Sequence, residues 1–249
     1  MKGRNLAVIA AALRPGSGTT LLARLFADYA ILSREHPLIF DTDSLDCDLS
    51  RYFPHSARLV DLDRVQGQMS LFDTLASAAP GTRVVDVTYR RLKKFFDLMH
   101  DIDYLPEARL RQVEPIILYI VTRDFESYEQ GRNLRDRFDC PFVVVENDLI
   151  GKPMQSLHHS SGFAALSRHP LRMQLASLDP PLADVIADPR VSLSEFMRQD
   201  PDTPVLAHLT REHRSAIRAW IIKMFKEIHR ITREVDAPAR VPADGEPDQ

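Results

Sequence analysis

The chain has 249 residues, with 32 lysines and arginines against 35 aspartates and glutamates, a formal net charge of −3, and 44% hydrophobic residues. That composition excludes collagen-like, low-complexity and wholly disordered chains, and the near-neutral balance argues against a protein that coats nucleic acid through bulk charge. A chain this long buries roughly 70% of its unfolded surface, so it needs no disulfide or metal staple. Its two distant cysteines, Cys47 and Cys140, read as reduced thiols of a cytoplasmic protein.

The first apolar run, residues 6–13, follows Lys2 and Arg4, but it is too short for a membrane span and leads into a glycine- and threonine-rich turn rather than a cleavage site. It reads as a buried strand over 6–12. Further strands are expected at 38–41, 83–87, 116–121 and 142–146, each a run of Val, Ile or Leu with little polar alternation, the pattern of parallel strands covered on both faces. Helical patterns fall between them at 20–33, 69–78, 89–100 and 125–137. Strand–helix alternation predicts βαβ crossovers and a three-layer, doubly wound α/β fold. Several prolines, as in Glu114-Pro115 and Cys140-Pro141, read as punctuation between elements.

The rhythm weakens after Gly151. His158-His159-Ser160-Ser161-Gly162 reads as a loop, and Asp179-Pro180-Pro181 as a break before a short helix. A last helix is expected over about 211–234, closing a single domain of residues 1–234. The proline-rich, acidic residues 235–249 read as a disordered tail.

The most informative stretch runs from the first strand through Leu13-Arg14-Pro15-Gly16-Ser17-Gly18-Thr19-Thr20 into a helix. A buried strand, a glycine-containing loop and an immediate helix N-terminus are the architecture in which backbone N–H groups hold a phosphate, and a threonine hydroxyl can reach a magnesium ion. A Walker A loop reads G-x-x-x-x-G-K-[ST]. Here Leu13 replaces the first glycine, Thr19 stands where the lysine belongs, and Pro15 removes a backbone donor. Asp41-Thr42-Asp43 ends the second strand, Asp86 lies near the end of the third, and Asn147 follows the fifth. These positions face the crevice where open α/β sheets bind ligands.

In this order the segments resemble the ParA/MinD family of deviant-Walker P-loop ATPases (the SIMIBI class), including conjugation proteins of the TraL type. The family loop K-G-G-x-G-K-[ST] aligns with Arg14-Pro15-Gly16-Ser17-Gly18-Thr19-Thr20. The resemblance implies a mainly parallel sheet of about seven strands and a site for ATP or ADP with Mg2+. It places Arg14 on the signature lysine that reaches a partner's nucleotide, and Thr19 on the phosphate lysine. Gly16, Ser17 and Gly18 fall in the phosphate cradle, with Thr20, Asp41 and Asp86 near the metal. Asp43 falls on the carboxylate that orients the attacking water, and Asn147 on the base-contacting asparagine. A face-to-face homodimer is also implied.

Loss of both family lysines argues against fast hydrolysis, because phosphoryl transfer depends on positive charge at the transition state. The expected protein is therefore a pseudo-ATPase that works through dimerisation and partner binding. The alternative is an active ATP-dependent switch for partition, conjugation or cell-pole positioning, in which Arg14 replaces the lost charge.

Three other features invite functional readings. The last helix combines an apolar stripe with many arginines and lysines, but the favoured reading is a face covering the sheet, with membrane attachment the lesser one. The cluster Arg90, Arg91, Lys93 and Lys94 suits non-specific DNA contact, although a solvated helix face is favoured. His158, His159 and His169 lack the spacing of a metal site, and neither a G-x-S-x-G elbow nor a G-x-G-x-x-G fingerprint occurs.

Overall fold

The computed structural model describes residues 5–198 and 206–236; the expected disordered tail lies outside the described residues from 237 onward. Seven strands form one sheet: β1 (Asn5–Ala12), β2 (Leu38–Asp41), β3 (Ala57–Leu59), β4 (Arg83–Val87), β5 (Val113–Val121), β6 (Phe142–Asn147) and β7 (Arg172–Leu175). Their order is β3-β2-β4-β1-β5-β6-β7, and every pairing is parallel. The helices are α1 (Thr19–Leu32), α2 (Asp48–Tyr52), α3 (Val65–Leu75), α4 (Leu92–Asp101), α5 (Tyr104–Leu110), α6 (Phe125–Arg137), α7 (Ser161–Ser167), α8 (Pro180–Ala187), α9 (Leu193–Arg198) and α10 (Arg211–Asp236).

Strand periodicity divides the core into two layers. In β1, Val8, Ala10 and Ala12 face one cluster with Leu22 and Phe26 of α1, Phe196 of α9 and Ile221 and Met224 of α10. Ala7, Ile9 and Ala11 face the other, with Phe72 of α3, Phe95 of α4 and Leu166 of α7. Chains then leave the C-terminal ends of the central strands toward opposite sides of the sheet, which opens a crevice there.

The structure departs from the sequence reading in the short helices α2, α5 and α9, which were not expected, and at three further places. The edge strands β3 and β7 were not foreseen, because both are short and half polar. The segment read as a loop around His158 contains a 3-10 turn, Gln155–His159, followed by α7, whose N-cap Ser160 accepts a hydrogen bond from Phe163 N. Pro115 lies inside β5 rather than between elements. A central strand tolerates it because Ile117 N already points toward the β6 side, to Pro141 O. The Pro115 nitrogen, two residues earlier, therefore faces the same side before β6 pairing begins at Phe142.

The apolar stripe of α10 is buried against the sheet: Ile217, Trp220, Ile221, Met224, Phe225, Ile228 and Ile231 all join the first core cluster. Trp220 Nε1 donates to Ala176 O at 2.8 Å, which supplies the polar partner that a buried indole needs. Among the described residues, no helix is long and apolar enough to cross a membrane.

Candidate functional site

Between β1 and α1 the chain makes a tight loop in which Gly16 has φ 67° and Gly18 has φ 98°. Both angles lie in the left-handed region that favours glycine. Ser17 Oγ donates to Arg14 O at 2.6 Å, and Asn147 Nδ2 donates to Ser17 O at 2.9 Å. Asn147 Oδ1 in turn accepts from Leu149 N at 3.0 Å. The amide of Asn147 therefore braces the loop from the end of β6, with both its polar atoms engaged within the chain.

The loop forms one wall of a cleft of about 380 Å³ at the C-terminal ends of β1, β2 and β4. Arg14, Pro15, Gly16, Gly18, Thr19, Thr20, Asp43 and Asp86 all line it. The sequence-selected residues are thus brought together, apart from Ser17, Asp41 and Asn147, which stand behind the lining and hold it in place.

Thr20 Oγ1 donates to Asp86 Oδ2 at 2.7 Å, while Asp86 Oδ1 is buried without a hydrogen-bond partner. Burial pushes the Asp86 carboxyl up to about 7, against the pull of the Thr20 hydroxyl, and the Asp41 carboxylate adds to the rise. Asp41 has both oxygens engaged: Oδ1 accepts from Asp43 N at 2.9 Å, and Oδ2 accepts from Ser50 N at 2.9 Å and Ser50 Oγ at 3.0 Å. It thereby sets the course of the chain from β2 into α2.

Asp43 Oδ2 accepts from Thr88 Oγ1 at 2.9 Å and from Arg90 at 3.0 Å, and Oδ1 accepts from Leu45 N at 3.0 Å and Asp46 N at 3.2 Å. Burial alone would raise this carboxyl. The Asp46 amide, Thr88, the Leu45 amide and Arg90 together hold it below the usual carboxylate range.

Arg14 lies on the rim with its guanidinium bound to Asp124 at 3.0 Å and Glu126 at 2.5 Å. Hydrogen bonds to these two carboxylates raise its pKa further. Asp124 also caps α6 by accepting from Ser127 N. Arg90, the second cation among the described residues of the cleft, bridges Asp43 and Asp46, at 3.0 Å from each.

The remaining members of the basic cluster are paired as well: Arg91 and Lys94 with Asp63, and Lys93 with Asp97. His169 packs against the Phe142 ring. Among the described residues, no group of three His, Cys, Asp or Glu is placed to hold a metal ion.

The fold is similar to that of the MinD cell division protein of Aquifex aeolicus, which aligns over 90% of this chain and 96% of that chain at a TM-score of 0.51 and 12% identity. This chain has the fold of MinD. Weaker likenesses extend to a nucleotide-binding protein from Archaeoglobus fulgidus in complex with ADP (12% identity, 83% of this chain and 93% of that chain, TM-score 0.46) and to a putative plasmid partition protein from Borrelia burgdorferi B31 bound to AMPPNP (12% identity, 91% and 100%, TM-score 0.47). No protein-family model matches the sequence. No curated protein matches it either.

Within this MinD-like fold, several residues that sequence reasoning passed over shape the site. Thr88, Asp46 and Asp48 line the cleft, and Asp124 and Glu126 hold Arg14. Arg24 and Asp28 form a buried pair on α1 at 3.7 Å, and Arg24 also donates to Ile186 O and Val191 O and lies 4.0 Å over the Tyr52 ring. The available signal was a charged i,i+4 pair inside the otherwise apolar segment Leu21-Leu22-Ala23-Arg24-Leu25-Phe26-Ala27-Asp28.

Proposed function

We propose that this chain is a ParA/MinD-like pseudo-ATPase, a regulatory or positioning protein with weak or absent nucleotide hydrolysis that acts through dimerisation and partner binding. The observation that carries this reading is the charge of the cleft. Among the described residues no lysine lines it, Arg14 is bound to Asp124 and Glu126 at the start of α6, and Arg90 is held by Asp43 and Asp46.

A magnesium nucleotide fits only half of such a site. The Thr20 hydroxyl and the Asp86 carboxylate suit a hydrated magnesium ion. The triphosphate would meet Asp43, Asp46, Asp48 and Asp86 with no unpaired cation opposite it among the described lining residues, and Pro15 offers no N–H. The group as a whole does not fit. Exposed Leu45, Phe125, Leu149 and Met154, on segments following β2, β5 and β6, support a surface used for association.

Calorimetric titration with ATP and ADP, with and without magnesium, tests the reading alongside phosphate release. The expected result is millimolar or undetectable binding and no turnover. Steady turnover that disappears in Asp43→Ala would instead establish an active switch.

A further inference from the structure

Helix α8 ends at Ala187, and carbonyls at and just beyond its end are held by side chains from two other helices. Arg24 of α1 donates to Ile186 O and to Val191 O. The Tyr52 hydroxyl, at the end of α2, donates to Ala187 O at 3.0 Å. The Tyr52 ring also lies 4.0 Å from the Arg24 guanidinium and covers it, so this charged side chain is only 2% exposed. One tyrosine thus closes both a buried cation and the turn between α8 and α9.

Tyr52 stands between two cavities. One, of about 340 Å³, is lined by Leu21, Ala183 and Ile186, and the other, of about 250 Å³, by Phe53, Val191 and Ser194. Arg24 and Tyr52 are the two residues common to both linings. The ring therefore has room to turn without displacing packed core atoms. The rest of α2 does not share that freedom: Leu49 is fully buried, and Ser50 N and Oγ are both bound to Asp41.

We infer that Tyr52 is a latch, which in its closed position fastens the α8–α9 turn to α1 and in its open position frees that turn and admits solvent to Arg24 and Asp28. The two positions are balanced for a physical reason. Closure keeps the Arg24–Asp28 pair dry at 3.7 Å, with Asp28 Oδ2 accepting no hydrogen bond among the described residues. A buried pair of that geometry recovers little of its desolvation cost. Opening loses the hydroxyl bond and the cation–π contact but hydrates the guanidinium and the bare oxygen, so the effects oppose one another.

The latch also joins the turn to the cleft. Asp48, the first residue of α2, lines both the cleft and the larger of the two cavities, and Asp41 fixes Ser50 two residues before Tyr52. A shift of α2 at the cleft therefore changes where Tyr52 sits. The coupling follows the position of α2 and needs no nucleotide, so it stands apart from the pseudo-ATPase reading.

The test is hydrogen–deuterium exchange of the full-length protein without ligand, read by mass spectrometry on peptides covering residues 187–191. Local opening is what such exchange reports. Tyr52→Phe, which keeps the ring and loses the hydroxyl, should speed exchange there at least twofold, and Tyr52→Ala at least tenfold, while β1 and β4 change less than twofold. Ser50→Ala should speed it at least twofold in the wild-type background and add nothing in Tyr52→Ala, because one latch mediates both effects. Unchanged exchange at 187–191 in Tyr52→Phe overturns the inference. So does equal acceleration in β1 and β4, the mark of a merely structural residue, or a Ser50→Ala effect that simply multiplies that of Tyr52→Ala. If Tyr52→Ala fails to fold, the same comparison is made in Tyr52→Phe, where the Ser50→Ala effect should be smaller than in wild type, and an undiminished effect rejects the latch.

Discussion

Thr20 Oγ1 donates to Asp86 Oδ2 at 2.7 Å, tying the first turn of α1 to the end of β4 across 66 residues of sequence. The bond satisfies one oxygen of a buried carboxylate and leaves the other bare. Asp86 is therefore both the centre of the site and a weak point of the fold.

The pH dependence follows from that burial. The folded state holds the Asp86 proton up to about pH 7, whereas an unfolded aspartate releases it near 3.8. The stabilising effect of this proton is fully present below the unfolded value, declines as pH rises from 4 to 7, and is gone above the folded value, a change on the order of 4 kcal/mol at most. Asp86→Asn carries no titrating proton, so it should lose less stability than wild type between pH 5 and pH 8. Urea melts at the two pH values check this, and parallel losses in the two proteins would sink it.

Restoring charge to the loop should restore anion binding. Thr19 is half-buried at the first position of α1, and its side chain faces the cleft lining. Thr19→Lys is expected to raise MgATP affinity at least tenfold, while Thr19→Met, similar in reach but uncharged, leaves it unchanged. Equal affinities of the two variants by calorimetry would show that charge is not what the loop lacks.

Arg24 is buried with its guanidinium bound to two backbone carbonyls and beside Asp28, while Asp28 accepts from Ser194 N at 2.9 Å. Removing one partner of such a pair strands the other charge. Arg24→Met should cost about 3–5 kcal/mol in denaturant melts, and adding Asp28→Leu should recover part of that loss. A double variant no more stable than the single one contradicts this account.

The two glycines of the loop should differ. A Cβ on Gly16 meets nothing within 4 Å, so Gly16→Ala incurs only the left-handed backbone penalty of roughly 1–2 kcal/mol. On Gly18 it would stand 2.8 Å from Asn147 Nδ2, so Gly18→Ala adds a clash and displaces the brace. Its loss should exceed that of Gly16→Ala by about 1 kcal/mol or more, read from denaturation midpoints.

Much of the fold was legible because it is encoded locally. The apolar runs at 38–41 and 83–87 match β2 and β4 end to end, and the helical pattern at 125–137 matches α6, because period and apolar content need only neighbouring residues. Short polar edge strands such as Ala57–Leu59 carry no such signal, since their pairing with β2 is a long-range event. The loop read at 158–162 overlaps only the first two residues of the helix Ser161–Ser167, which is too short to carry a periodic signal and is held by its packing on α6.

The sequence by itself determined that a buried strand, a glycine-bearing loop and a helix would follow one another, with aspartates at two other strand ends and a threonine where a lysine is expected. Local composition suffices for that. Only the tertiary structure decided where the charges go. Arg14 is taken by Asp124 and Glu126, 110 and 112 residues away, and Arg90, read from sequence as part of a basic surface run, closes on Asp43 and Asp46 inside the cleft. Ion pairing depends on which loops the sheet brings within a few ångströms, and strand order sets that proximity.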